Sequence, residues 1–309
     1  MAFSWNLVYD IQQMWAFPFM QHAFEAGTMV AVIAGVMGYF VVLRRSTFVA
    51  HAFSEIGFAG ASGAVYLVQA LNMTFLTSTD AAAYGMLVGS ILGGTTIAML
   101  SRRSSHRDVY VGIVLAFALG IGLLFLSLYT GYATEAISLL FGEILGIAST
   151  DVLRTLIFSV IILGGVGFIY RPLLYSSLDE EVAEAKGLPT LFIGVAFLLL
   201  VAVAVSVAVQ VTGVLLIFSL MVTPAATAQH LASKPSKVIA ISVALALAVT
   251  WFGLFVSFYE PYPASFFITA TIFVIYILVR VFHHRIRTPG ERRKDWDDRV
   301  LASPKDYSS

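Results

Sequence analysis

Residues 26–45 read AGTMVAVIAGVMGYFVVLRR: eighteen positions without a charge, closed by two arginines. As α-helix, a stretch of that length covers ~27 Å, close to the ~30 Å hydrocarbon thickness of a bilayer. It has no polar face to offer water, so it reads as a membrane span that starts a turn earlier, at Ala23 and Phe24 across Glu25, and stops where Arg44 and Arg45 meet the headgroups. Seven more charge-free stretches repeat the pattern, at residues 56–79, 81–101, 109–134, 155–170, 187–233, 238–259 and 261–279. The 187–233 block is too long for one helix and divides near Gln210–Gly213 into about 188–209 and 213–231. The expectation is an all-α polytopic membrane protein with about nine transmembrane helices.

Composition agrees. At 59% hydrophobic and 12% charged residues with a mean hydropathy of +0.89, the 309-residue chain leaves little material for a separate soluble domain. Basic and acidic residues balance at 18 each, which favours neither nucleic acid nor a bulk acidic partner. The absence of cysteine excludes disulfides, thiolate metal ligands and a thiol nucleophile.

Lysine and arginine set the orientation. With the amino end outside, Arg44/Arg45, Arg102/Arg103/Arg107, Arg171/Lys186, Lys234/Lys237 and the tail from Arg280 all fall in the cytoplasm, and Arg154 alone stays outside. Asp10, Asp80, Glu135, Asp151 and Glu260 mark the outer side. Residues 136–150, interrupted by Glu143, cannot be a further span without reversing every later basic loop, so they read as a re-entrant or interfacial helix. Residues 1–16 lack a basic n-region and a small-residue cleavage site, and they read as an interfacial segment rather than a removable signal. Residues 17–282 form the transmembrane domain and 283–309 a charged cytoplasmic tail.

One cytoplasmic connection carries full helix punctuation. Ser177 and Glu180 have capping-box spacing, Asp179, Glu180 and Glu181 suit the positive end of a helix dipole, Gly187 suits a left-handed C-terminal position, and Pro189 ends the helix. Leu178, Val182 and Ala185 share one narrow apolar face. So short a helix is marginal alone and needs something packed on it: either the bundle it caps or a soluble partner.

These features resemble the membrane-spanning permease of bacterial ABC importers for zinc, manganese and iron(II), over roughly residues 17–279. Three stretches carry the resemblance: GYFVVLRR at 38–45 with HAFSEIGFAG at 51–60, the 179–187 loop, and GVLL at 213–216 running to TPAATA at 223–228. The resemblance implies a coupling helix at Leu178, Asp179, Glu180, Glu181, Val182, Ala183, Ala185 and Gly187 that fits an ATP-binding subunit. It further implies a homodimer, two cytoplasmic ATP-binding subunits, an extracytoplasmic solute-binding protein, and location in the bacterial plasma membrane with surrounding lipid and no nucleic acid.

His51 and Glu55, one helical turn apart, are the best candidate cation ligands. An imidazole and a carboxylate suit Zn, Mn or Fe(II), and the residue-level alternative is that they bond to each other near the inner membrane boundary. The resemblance places a metal-pathway pair at these positions, usually Asp then His or His then His, so Glu55 stands where His is expected. The cation is cargo, and no permanently bound cofactor is expected. His22 and Glu25 read as an outer vestibule or an interfacial hydrogen bond, and Glu143 as another outer candidate. Pro224 permits a kink serving gating or packing. The chain has no GxxxxGK[ST] loop, so ATP hydrolysis is assigned to a partner and the chain itself is not an enzyme. Two rival readings remain: a gradient-driven secondary transporter of a small metabolite or drug, and an intramembrane serine protease built on Gly60-Ala61-Ser62-Gly63.

Overall fold

The computed structural model describes residues 7–72, 77–100, 107–128, 142 and 144–286, and every regular element among them is helical. In chain order these are α1 (Leu7–Trp15), α2 (Pro18–Leu43), α3 (Thr47–Ala70), α4 (Ser78–Leu100), α5 (Arg107–Ser127), α6 (Ser149–Leu178), α7 (Glu180–Ala185), α8 (Thr190–Thr212), α9 (Val214–Leu231), α10 (Pro235–Tyr259) and α11 (Ala264–Ile286). Six are long and apolar enough to cross a membrane: α2, α5 over Val109–Ser127, α6, α8, α10, and α11 over Ala264–Phe282. Helices α3, α4 and α9 occupy the other three stretches that read as crossings. Glycines, hydroxyl side chains and the His51/Glu55 pair lower the hydropathy of α3 and α4, and α9 is short.

Helices α2 and α8 run through the middle of the bundle, while α5, α6 and α11 form its periphery. Peripheral faces are strongly apolar: Phe168 on α6 is 90% exposed, beside Ile157, Val160 and Ile161. An exposed surface of that kind belongs in lipid or against another subunit. Helices α3 and α4 approach through glycine, since a Cβ on Gly60 would lie 2.3 Å from the Gly85 carbonyl oxygen. Ser90 Oγ on α4 then donates to the Phe53 carbonyl of α3 at 3.2 Å, so the two helices pack as one unit.

Side-chain contacts define two ends. At one, Arg44 after α2 meets Ser176 and Ser177 at the close of α6. At the other, Trp251 Nε1 on α10 donates to Thr28 Oγ1 on α2 at 2.9 Å, Tyr259 donates to the Asp10 carbonyl of α1 at 3.1 Å, and Asp80 meets Arg154. Between α8 and α9 stands Gly213 alone, at φ +81° and ψ 162°, with Thr212 and Val214 buried on either side. A side chain there would be strained, so the turn needs glycine.

Several boundaries differ from those set by charge. Helix α3 starts at Thr47 rather than Ile56, because a buried Glu55 does not interrupt it. It ends at Ala70, and Thr77 then opens α4 by accepting the Asp80 N–H at 3.1 Å while donating to Asp80 Oδ2 at 2.7 Å. Of residues 136–150, positions 136–141 and Glu143 lie outside the described residues. The remainder holds a single 3-10 turn, Ile144–Gly146, whose Ile144 packs toward Gly27 of α2.

Candidate functional site

Helix α3 carries the site. The chain reverses after α2 in three residues, with Arg45 at φ +53° and the Ser46 N–H bonded to the Val41 carbonyl at 2.8 Å, and α3 begins at once. His51 and Glu55 therefore sit in its second and third turns on one face, with Cβ atoms ~5–6 Å apart. Glu55 is 6% exposed and His51 half-buried. Phe218 of α9 lies against the imidazole, with ring centroids 5.2 Å apart.

One atom of each side chain, His51 Nδ1 and Glu55 Oε2, is buried without a hydrogen-bond partner. The two side chains do not bond to each other through these atoms. A buried polar atom left without a partner costs ~1–3 kcal/mol, and here two such atoms lie one turn apart on one helix face. A nitrogen lone pair and a carboxylate oxygen together suit a divalent cation. Among the described residues no three histidine, aspartate or glutamate side chains gather.

The other sequence candidates are not brought to this pair. His22 is half-buried and Glu25 exposed, near the opposite end of α2 from Arg44, and Glu143 is outside the described residues. Pro224 lies buried within α9, where its missing N–H leaves the Leu220 carbonyl without its usual helical donor. The adjoining turn receives α2 at close range, because a Cβ on Gly38 would fall 1.9 Å from the Met221 carbonyl oxygen.

The punctuated connection is present but capped differently from the sequence reading. Helix α6 runs on through Pro172 to Leu178, so Ser177 is helical and its hydroxyl donates to the Leu173 carbonyl. The Ser177/Glu180 capping box is therefore not formed. Asp179 is the N-cap instead, its carboxylate accepting the Val182 N–H at 2.9 Å, and α7 is only six residues long. Gly187 does take the left-handed position, at φ +78°. Leu178 and Val182 are 63% and 49% exposed, and Asp179, Glu180, Glu181 and Ala185 also face outward, whereas Ala183 is buried and anchors α7 to the bundle. An apolar pair ringed by carboxylates is thus displayed beside the end of α6.

Sequence reasoning missed two partners of this region: Phe218, hidden in an apolar run, and Arg44, which entered only as a marker of sidedness and as part of the 38–45 stretch. It also left open a serine nucleophile. Ser62 is buried and donates to the Phe58 and Ala59 carbonyls at 3.0 and 3.2 Å, a hydroxyl committed to its own helix.

Six helices long and apolar enough to cross a membrane mark an integral membrane protein. The chain belongs to the ABC 3 transport family, whose sequence model matches residues 16–283. It is similar to the manganese transport system membrane protein MntC of Listeria monocytogenes, with 29% identity over 78% of this chain and 82% of that protein. The high-affinity zinc uptake system membrane protein ZnuB of Buchnera aphidicola is 26% identical over 78% of this chain and 88% of its own length. Among solved structures, PsaBC from Streptococcus pneumoniae in complex with Fab shares the fold at a TM-score of 0.76, covering 94% of this chain and 99% of that one, with 24% identity.

Proposed function

We propose that this chain is the permease of an ATP-driven importer that carries a divalent transition-metal cation, Zn, Mn or Fe(II), across the bacterial plasma membrane. Family membership and the manganese and zinc relatives support the substrate class. The observation that carries the site is the pair of buried, unsatisfied atoms His51 Nδ1 and Glu55 Oε2 on one face of α3. The cation exchanges part of its water for these ligands as it passes, and two donors release it as readily as they take it.

In this reading α2–α6 and α8–α11 make nine crossings, with residues 1–16 at the outer interface, 136–150 re-entrant on the outer face, and the tail from 283 in the cytoplasm, as the basic residues dictate. Two copies face each other across the path and an extracytoplasmic binding protein delivers the ion. His22, Glu25 and Glu143 line the outer mouth, where negative charge concentrates cations. Two ATP-binding subunits hydrolyse ATP and press on Leu178, Val182 and the Asp179–Glu181 carboxylates, with Ala183, Ala185 and Gly187 holding the shape of α7. The spans rock, and the Pro224 turn of α9 yields.

The test is uptake of radiolabelled Mn, Zn and Fe(II) by cells that depend on this permease, comparing His51→Ala and Glu55→Ala with wild type at equal membrane abundance. Each variant lowers uptake about ten-fold or more, as expected for loss of one of few ligands. Wild-type uptake in both variants removes the pair from the path.

A further inference from the structure

We infer that Arg44 is a positioning residue: one guanidinium that ties both arms of the α7 corner to the turn from which the His51/Glu55 helix springs. It touches neither the cation nor a nucleotide, and its role rests on the permease reading above.

Three contacts meet at this side chain. Arg44 Nη1 donates to Ser176 Oγ at 3.1 Å and to Ser177 Oγ at 3.3 Å, in the last turn of α6. Both serine hydroxyls donate in turn to the Leu173 carbonyl, which fixes their lone pairs toward the guanidinium. On the other side the guanidinium carbon stands 5.6 Å from the centre of the Phe197 ring of α8. Gly194 of α8 lies beside it, where a Cβ would make an ordinary contact with Arg44 Nη2 at 3.5 Å. Helices α6 and α8 are the two elements that hold α7, and Ser177 is two residues from its N-cap, Asp179.

The backbone of Arg44 is equally committed. Its N–H bonds to the Phe40 carbonyl at 2.9 Å, its carbonyl accepts from Ser46 Oγ at 3.2 Å, and α3 starts at Thr47. His51 follows Arg44 by seven residues, across the reversal and the opening turn of α3. Because α3 is locked to α4 through Gly60, Gly85 and the Ser90–Phe53 bond, a displacement at this turn moves the pair as a body and carries the ligands with it. A lysine offers a point charge on a flexible stem in place of a planar guanidinium whose Nη1 reaches both hydroxyls while its carbon lies over the Phe197 ring. A charge that merely anchors the membrane boundary would tolerate that exchange; a strut would not.

The experiment uses the full chain with its ATP-binding subunits in proteoliposomes and reads metal transported per ATP hydrolysed, for wild type, Arg44→Lys, Arg44→Ala and Ser176→Ala/Ser177→Ala, with thermal melts alongside. Arg44→Lys and Arg44→Ala keep ATP turnover and melting temperature near wild type and lower the transport-to-hydrolysis ratio about ten-fold, with the double serine variant intermediate, a size typical of coupling between sites. A wild-type ratio in Arg44→Lys identifies a charge anchor and overturns the inference. So does a parallel fall of ATP turnover, transport and melting temperature, which identifies a structural residue. Leu178→Glu and Val182→Glu separate the two levels. If they abolish ATP-driven transport while the Arg44 variants keep the wild-type ratio, only the strut fails. If they change nothing, the permease reading of α7 fails with it.

Discussion

Arg154 is the one basic side chain that the charge reading leaves on the acidic side of the bundle, and its contacts explain how it is kept there. Nη2 lies 2.5 Å from Asp80 Oδ1 and Nη1 3.5 Å from Asp151 Oδ1. Asp80, just outside the apolar run 81–101, has its carboxyl held below the usual carboxylate range, first by the Thr77 hydroxyl and then by Arg154. A depressed folded-state value means that the contribution is present above the ordinary carboxylate range and is lost as pH falls through the depressed value. Both side chains are partly exposed, so the gain is small. Asp80→Asn and Arg154→Gln therefore each lower the melting temperature slightly at neutral pH, the double variant melts no lower than the worse single one, and the difference from wild type closes in acid. Thermal melts in detergent check this, and additive losses would show that the pair does not act as a unit. Sequence pattern marked Arg154 as anomalous but not its partner, because Asp80 lies 74 positions away and only the tertiary arrangement brings the first turn of α4 within side-chain reach of α6.

Elements follow the same division between local signal and tertiary arrangement. Gly187 and the carboxylates of the α7 region were legible because helix ends obey local rules. The N-cap was misassigned from Ser177 to Asp179 because α6 continues past its arginine into the cap region, and nothing local says how far a buried helix runs. The Gly38 contact with the Met221 carbonyl was not legible at all. It gives the sharpest element-level prediction: Gly38→Ala forces α2 and α9 apart beside Pro224 and destabilises the protein by about 1–3 kcal/mol or more. By contrast, a Cβ at Gly167 of α6 meets nothing within 4 Å, and Gly167→Ala is neutral or stabilising by about 0.5–1 kcal/mol. Denaturation of both variants in the same detergent gives the comparison, and equal stabilities would refute the close approach of α2 to α9.

For the whole molecule, fold class was readable because a bilayer imposes one length and one composition on every crossing, and sequence displays both. Which residues meet within the bundle was not, since apolar faces of similar helices differ little in pattern; hence Phe218 against His51, and Arg44 against Ser176 and Ser177, came only with the structure. The central claim is that this chain moves a transition-metal cation with energy drawn from ATP in a partner subunit. Proteoliposomes holding the chain with its ATP-binding subunits, loaded with a metal-sensitive dye and supplied with Mn or Zn, test it most directly. Metal entry is expected to require both ATP and the ATP-binding subunits and to persist when the proton gradient is collapsed. Entry through this chain alone, driven by a proton or sodium gradient and indifferent to ATP, would contradict it.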